Sequence, residues 1–178
     1  IAVDSGVEHL LKLSLDPTTL IGDLDSISKK SLDELKKSGV KILAFNSKKD
    51  QTDFELALNY LEEAEKSKVY IIGGESGEID HLISIFLLIP SKSFFENIIW
   101  LYGDKKIIFR QKLELNIKKL TKFSIIPLTD LTNLSIDGAE WNLDNKNIQF
   151  GETLTLRNIT NEDQLNIRCD KGVFALIY

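Results

Sequence analysis

The chain has 178 residues, 43% hydrophobic and 28% charged, with a formal net charge of −5, which leaves room for one large domain or two small ones with cores of their own. No apolar run approaches the ~18 residues that cross a bilayer, Leu82–Pro90 being the longest, and no basic stripe is visible that would serve a nucleic acid. The single cysteine, Cys169, can form no internal disulfide, and no basic-plus-apolar leader is visible, so a reducing cytoplasm is the expected setting.

In chain order, Ile1–Val3 reads as the end of a buried strand that runs into the polar turn Asp4-Ser5-Gly6. This abrupt opening and the lack of Met lead us to expect that residues before Ile1 are missing from this numbering. Val7–Leu13 is expected to form a short helix, Leu20–Ile21 a strand, Ser28–Ser38 a helix stopped by Gly39, and Val40–Phe45 a strand. Thr52–Lys66 has the clearest helical spacing in the chain, followed by the apolar strand Val69–Ile72, a Gly-rich loop, and a buried helix Ile79–Ile89 stopped by Pro90. Strand and helix alternating at these spacings imply βαβ units and a parallel sheet.

From about Ile98 the pattern changes. Ile98–Tyr102 and Ile107–Arg110 form a hairpin pattern around Gly103-Asp104, and it could belong to either half of the chain. Short strands are then expected at Leu113–Ile117, Phe123–Pro127, Leu134–Ile136, Ile148–Phe150, Thr153–Leu156, Leu165–Arg168 and Val173–Ile177. Turn residues separate them, notably Asp137-Gly138, Asp144-Asn145 and Asp170-Lys171-Gly172. The expected architecture is a parallel-sheet α/β domain over 1–110 and an all-β sandwich over 111–178.

Ile21–Ile27, I-G-D-L-D-S-I, places Asp23 and Asp25 two residues apart. On an extended backbone both carboxylates point to one face. Their repulsion raises one pKa unless a cation sits between them, and Mg²⁺, held through carboxylates and substrate phosphates, is the natural one. The same residues also read as an Asp-rich turn, with Gly22 as breaker and Asp25 or Ser26 capping the next helix. Asp50-Gln51-Thr52-Asp53 opens the clearest helix, where Thr52 and Glu55 fit a capping box and Asp53 suits the dipole. A helix N-terminus is also where phosphate binds.

In the loop Gly73–Gly77, Gly74 and Gly77 let the backbone approach phosphate oxygens, although the loop is neither a Walker A nor a Rossmann turn. Asp80-His81 follow in the next helix, where His81 either caps and packs or faces a ligand. Asp4, Asp23, Asp25, Asp50, Asp53 and Asp80 all fall after a strand or at a helix start. In one parallel sheet they converge on the edge where ligands bind. So many acids need divalent cations beside them. There is no G-x-S-x-G, and only two histidines exist, so paired metals with a polyphosphate suit the residues better than a nucleophilic triad.

Asp4-Ser5-Gly6, G-D-L-D-S-I, K-D-Q-T-D-F at 49–54, the Gly-rich loop with Asp80-His81, and Gly138–Leu143 followed by Phe150-Gly151 and Asn158 occur in a familiar order. The chain resembles the thiamin pyrophosphokinases over nearly its whole length. That resemblance implies a catalytic α/β domain, a β-sandwich for thiamin binding and dimerisation, and a homodimer with sites between subunits. It implies transfer of diphosphate from ATP to thiamin. By the same resemblance Asp23, Asp25 and Asp53 hold Mg²⁺ and the ATP phosphates. Asp4, Ser5, Gly22, Asp50, Gln51, Thr52, Gly74, Gly77, Asp80 and His81 line the nucleotide pocket. Asp53 or Asp80 accepts the hydroxyl proton. Trp141 stacks on thiamin from the partner subunit, with Arg157 and Asn158 nearby.

Three positions depart from the family pattern: Ser5 and Arg157 stand where Gly and Ser are usual, and Ser76-Gly77-Glu78 where Gly-Gly-Arg is common. Two alternatives therefore stay open. One is a catalytically silent homologue that binds thiamin or a nucleotide. The other is a D-x-D phosphatase or nucleotide-sugar transferase.

Overall fold

The computed structural model describes residues 1–62, 68–74 and 78–178. The chain divides into two compact units, Ile1–Glu65 and Lys66–Tyr178.

In the first unit, β1 (Ala2–Val3), β2 (Thr19–Gly22) and β3 (Lys41–Ala44) form a parallel sheet in that order, with β2 in the middle. Helices α1 (Gly6–Lys12) and α2 (Lys29–Lys37) make the crossovers, and α3 (Asp53–Glu62) packs on β1 and β2. Ala2, Val7, Leu20, Ile27 and Leu35 form the buried core, the arrangement that parallel strands covered by helices require. Ser28, rather than Asp25 or Ser26, caps α2, its Oγ accepting the Ser31 N–H at 3.1 Å.

The second unit opens with β4 (Val69–Ile72), α4 (Ile79–Leu88) and β5 (Ile98–Tyr102), and β4 and β5 are parallel. The hairpin partner of β5 is β6 (Lys105–Arg110), and after Gln111 the chain passes into β7 (Lys112–Asn116) of the other sheet. Then come β8 (Lys122–Pro127), β9 (Leu131–Asp137), β10 (Leu143–Ile148), β11 (Asn158–Ile159), β12 (Gln164–Arg168) and β13 (Phe174–Ile177). They complete a six-stranded sheet, β11-β8-β13-β6-β5-β4, and a four-stranded one, β10-β9-β12-β7. Phe123, Ile125, Phe174 and Leu176 from the first meet Leu134, Ile136, Ile148, Leu165 and Ile167 from the second in one buried core, which is a β-sandwich.

Several expectations change. β4 lies in the six-stranded sheet, so the parallel strands do not form one sheet. The reason is that β5 pairs on one side with β4 and on the other with β6. Thr153–Leu156 is not a strand; it turns, with the Thr155 hydroxyl bonded to Ile125 O at 2.7 Å. Asp144-Asn145 is no turn but an irregularity inside β10, where the register shifts and Asn145 takes φ 48°. The helix at Ile79 forms but has no buried residue: Phe86 packs on Trp100 and Phe109, while Ile79, Ile83 and Leu87 are exposed.

Candidate functional site

Two strands and a helix bring three carboxylates to one place in the first unit. Asp4 follows β1 and extends its ladder, its N–H donating to Ile21 O at 2.9 Å. Asp23 follows β2, and Asp53 opens α3. One carboxylate oxygen from each lies within 4.8 Å of the other two, and all three residues are half-buried.

The backbone is bent to make this possible. Asp4 and Leu24 both adopt left-handed φ, 48° and 67°, a conformation that costs of order ~1–3 kcal/mol outside glycine and persists where its surroundings impose it. The Leu24 N–H donates to Asp4 Oδ1 at 3.3 Å, tying the turn after β2 to the carboxylate after β1. Gly22 leaves the space: a Cβ there would stand 2.4 Å from Asp4 Oδ1 and 2.9 Å from its Cγ.

Charge crowding shows in the titration of these groups. Burial, and then the charge of Asp53, hold the Asp4 carboxyl above its ordinary value, with Asp23 and Asp25 adding and the Leu24 N–H opposing. A hydrogen bond with Asp23, and then its charge, push Asp25 up as well. Contact with Asp53 raises the Lys49 ammonium, and Asp23 and Asp4 contribute. Lys49 Nζ lies 2.8 Å from Asp53 Oδ1, an oxygen that is buried. Hard divalent cations take oxygen ligands. Three convergent carboxylates, one of them with a buried oxygen, and a cradle kept open by Gly22 fit such an ion.

The carboxylates that converge are a different trio from the expected ligands. Leu24 breaks the extended path between Asp23 and Asp25, so Asp25 stands exposed at the rim, its N–H donating to Asp23 Oδ1 at 3.2 Å as in an Asx turn. Asp4 takes the third place. Ser5, Asp50, Gln51 and Thr52 lie at or just before helix starts. Ser5 is the exposed N-cap residue of α1. Thr52 Oγ1 accepts the Glu55 N–H at 3.2 Å, and Gln51 Nε2 donates to Glu55 Oε1 at 3.0 Å, so the cap reading of Thr52 holds. Asp50 is exposed. Sequence reasoning missed Lys49, although its i, i+4 spacing to Asp53 was available as a signal.

In the second unit Gly74 has φ 88° and faces Trp100, whose Cζ2 would lie 3.2 Å from an added Cβ. The Trp100 indole N–H donates to Gly73 O at 2.9 Å, so this tryptophan fixes the start of the loop. Gly77 lies outside the described residues. Asp80 and His81 are exposed in the first turn of α4, where the His81 N–H donates to Asp80 Oδ1 at 2.8 Å. Trp141 is 58% exposed. Asn158 is buried and grips the Trp141 backbone from both sides, accepting its N–H at 3.2 Å and donating to its carbonyl at 2.8 Å. Arg157 is exposed in the left-handed region at φ 58°, its N–H donating to Ser124 Oγ at 3.0 Å.

Residues 1–100 match the family model described as thiamin pyrophosphokinase, catalytic domain, and residues 110–174 match thiamin pyrophosphokinase, vitamin B1 binding domain. The thiamine pyrophosphokinase of Bacillus subtilis (strain 168) is 29% identical over an alignment covering 99% of this chain and 85% of that protein. Thiamine pyrophosphokinase 2 of Arabidopsis thaliana is 22% identical over 90% of this chain and 65% of its own. Among solved structures, the thiamin pyrophosphokinase family protein from Enterococcus faecalis matches with TM-score 0.86 at 23% identity, covering 98% of this chain and 86% of that one. The Bacillus subtilis enzyme's crystal structure matches with TM-score 0.86 at 24% identity, covering 98% and 84%. These structural likenesses carry the fold.

Two predictions follow from the cluster's geometry. Gly22→Ala is expected to fold but to push the Asp4 carboxylate out, weakening Mn²⁺ binding by about tenfold or more, ~1.4 kcal/mol, which calorimetric titration measures. Asp4→Asn is expected to raise the melting temperature of the metal-free protein at neutral pH. A carboxyl raised in the folded state binds its proton more tightly there than in the unfolded chain, so its stabilising contribution is lost as pH climbs from the ordinary 3.8 through the raised value. The gap between variant and wild type should close below 3.8, and melting curves across pH check it.

Proposed function

The chain belongs to the thiamin pyrophosphokinase family, a family of kinase-type transferases, and we propose that it moves diphosphate from ATP to the thiamin hydroxyl with Mg²⁺ held by Asp4, Asp23 and Asp53. The products are thiamin diphosphate and AMP. The observation that carries the reading is the convergence of these three carboxylates, one oxygen of each lying within 4.8 Å of the other two. When bound, the metal offsets charge on the phosphate oxygens.

The chain's own residues divide the work. Asp4, Asp23 and Asp53 would hold the ion, which would supply positive charge for the triphosphate, and Asp25 at the rim adds negative charge. That field favours the cationic thiazolium of thiamin over neutral analogues. We assign the hydroxyl proton to Asp80 rather than Asp53, because Asp53 would be occupied as a ligand of the ion beside its two acidic neighbours. Trp141 offers an exposed indole face to the thiazolium, a cation–π contact that is worth more when water is excluded. Asn158 does not need to touch the substrate; it fixes the backbone that carries Trp141.

The finer points belong to the same proposal. The catalytic part runs to about residue 110 and the thiamin-binding part follows, a division supported by the gap between the two family matches. The protein is a cytoplasmic homodimer, with Trp141 serving the site of the other copy. No described helix is long and apolar enough to cross a membrane. Arg157 is a candidate for the phosphate-binding cation that Glu78 does not supply.

The test is a product assay with thiamin, ATP and Mg²⁺, with Asp23→Asn run beside it. Thiamin diphosphate and an equal amount of AMP are expected, with turnover in the variant down by ~10²-fold or more. ADP with thiamin monophosphate would place the attack at the γ-phosphorus and contradict the mechanism. No product from a folded protein that still binds thiamin would favour the silent homologue.

A further inference from the structure

Lys49 has no part in the roles assigned above. It lies one helical turn ahead of α3, at i, i+4 to Asp53, with Nζ 2.8 Å from Asp53 Oδ1 and only 17% and 18% of the two side chains exposed. An ordinary surface pair keeps both partners in water and contributes little. This one does not: the oxygen it touches is buried. The same oxygen belongs to a carboxylate that meets Asp4 and Asp23 within 4.8 Å. A single ammonium ion therefore faces three carboxylates, and it touches one of them.

We propose that Lys49 is the exchangeable counter-ion of this cluster: its ammonium keeps the carboxylates assembled without metal and leaves Asp53 when a divalent cation enters. The argument is one of space and charge. Mg²⁺ sits about 2.1 Å from its oxygen ligands, and an ammonium 2.8 Å from the same Asp53 oxygen would be left in contact range of a second cation. Like charges at that distance repel, so one binds at the expense of the other. Lys49 thus tunes the site. It lowers the affinity for the ion below what three carboxylates alone would give, and it prevents their mutual repulsion from opening the cluster between turnovers. Its four-carbon stem lets the charge move aside while the backbone at the start of α3 stays in place.

The inference rests on reading Asp4, Asp23 and Asp53 as metal ligands, and the experiment separates the two. Mg²⁺ alone is titrated by calorimetry into wild type, Lys49→Met and Lys49→Arg, and each is melted in EDTA. Lys49→Met should bind Mg²⁺ about fivefold or more tightly, the effect of removing one positive charge ~4 Å from another in solvated surroundings. It should also melt lower than wild type in EDTA. Lys49→Arg, which keeps the charge, should match wild type in both. Should Lys49→Met fail to fold in EDTA, restoration of its fold by Mg²⁺ supports the exchange, and failure to restore it overturns it. Equal or weaker Mg²⁺ binding by Lys49→Met, or tightening by Lys49→Arg as well, would overturn the role of Lys49 and leave the metal site standing. Absence of Mg²⁺ binding in all three proteins would remove the metal site itself.

Discussion

Mutual repulsion among Asp4, Asp23 and Asp53 is the constraint around which the first unit is built. Two unit charges ~4 Å apart repel by ~1 kcal/mol in bulk water and by up to ~4 kcal/mol near a protein surface, less whatever salt screens. A folded chain left to minimise that energy would spread the acids. Here the backbone does the opposite. It ends β1 and β2 side by side, turns Asp4 and Leu24 into the left-handed region, and omits a side chain at Gly22, where one would strike the Asp4 carboxylate. Asp53 is then delivered by the first residue of a helix packed on those same strands. On the reading proposed here, strain and crowding placed together in this way serve a cation from outside the chain, with Lys49 as the partial answer inside it.

The second unit addresses a different problem. Its two sheets bury their shared face around Phe174, Phe123 and Leu165, which leaves loops at their ends free to carry function. In one such loop a large indole is held outward. Exposing Trp141 forgoes the favourable burial that an aromatic ring normally obtains, and the buried amide of Asn158 secures the backbone beneath it with two hydrogen bonds. A rigid backbone under an exposed aromatic face is suited to stacking on a flat cationic ring, because little freedom remains to be lost when the ring arrives.

Much of this was legible in the residues. The alternation of short apolar runs with helical periodicity located β1 to β4 and α1 to α4, since both patterns are dictated by local geometry. The acids at strand ends were also visible, as was the Thr52 cap. What stayed hidden depends on three-dimensional closure. Asp23 and Asp25 read as a pair because an extended backbone aligns every second side chain, but Leu24 is not extended, and only the folded turn shows Asp4 in the third position. The pairing of β4 with β5 rather than with the first sheet is likewise a long-range choice that no local pattern encodes. At Asn145 a residue that reads as a turn former adopts its positive φ within a strand, where irregularities use the same conformation.

The most direct test of the central claim is a crystal structure of the protein grown with Mn²⁺, with the ion located by its anomalous scattering. The account predicts a peak ligated by carboxylate oxygens of Asp4, Asp23 and Asp53, with Lys49 Nζ moved away from Asp53. A peak held by Asp23 and Asp25 without Asp4, or full manganese occupancy elsewhere with the three acids left unligated, would contradict it.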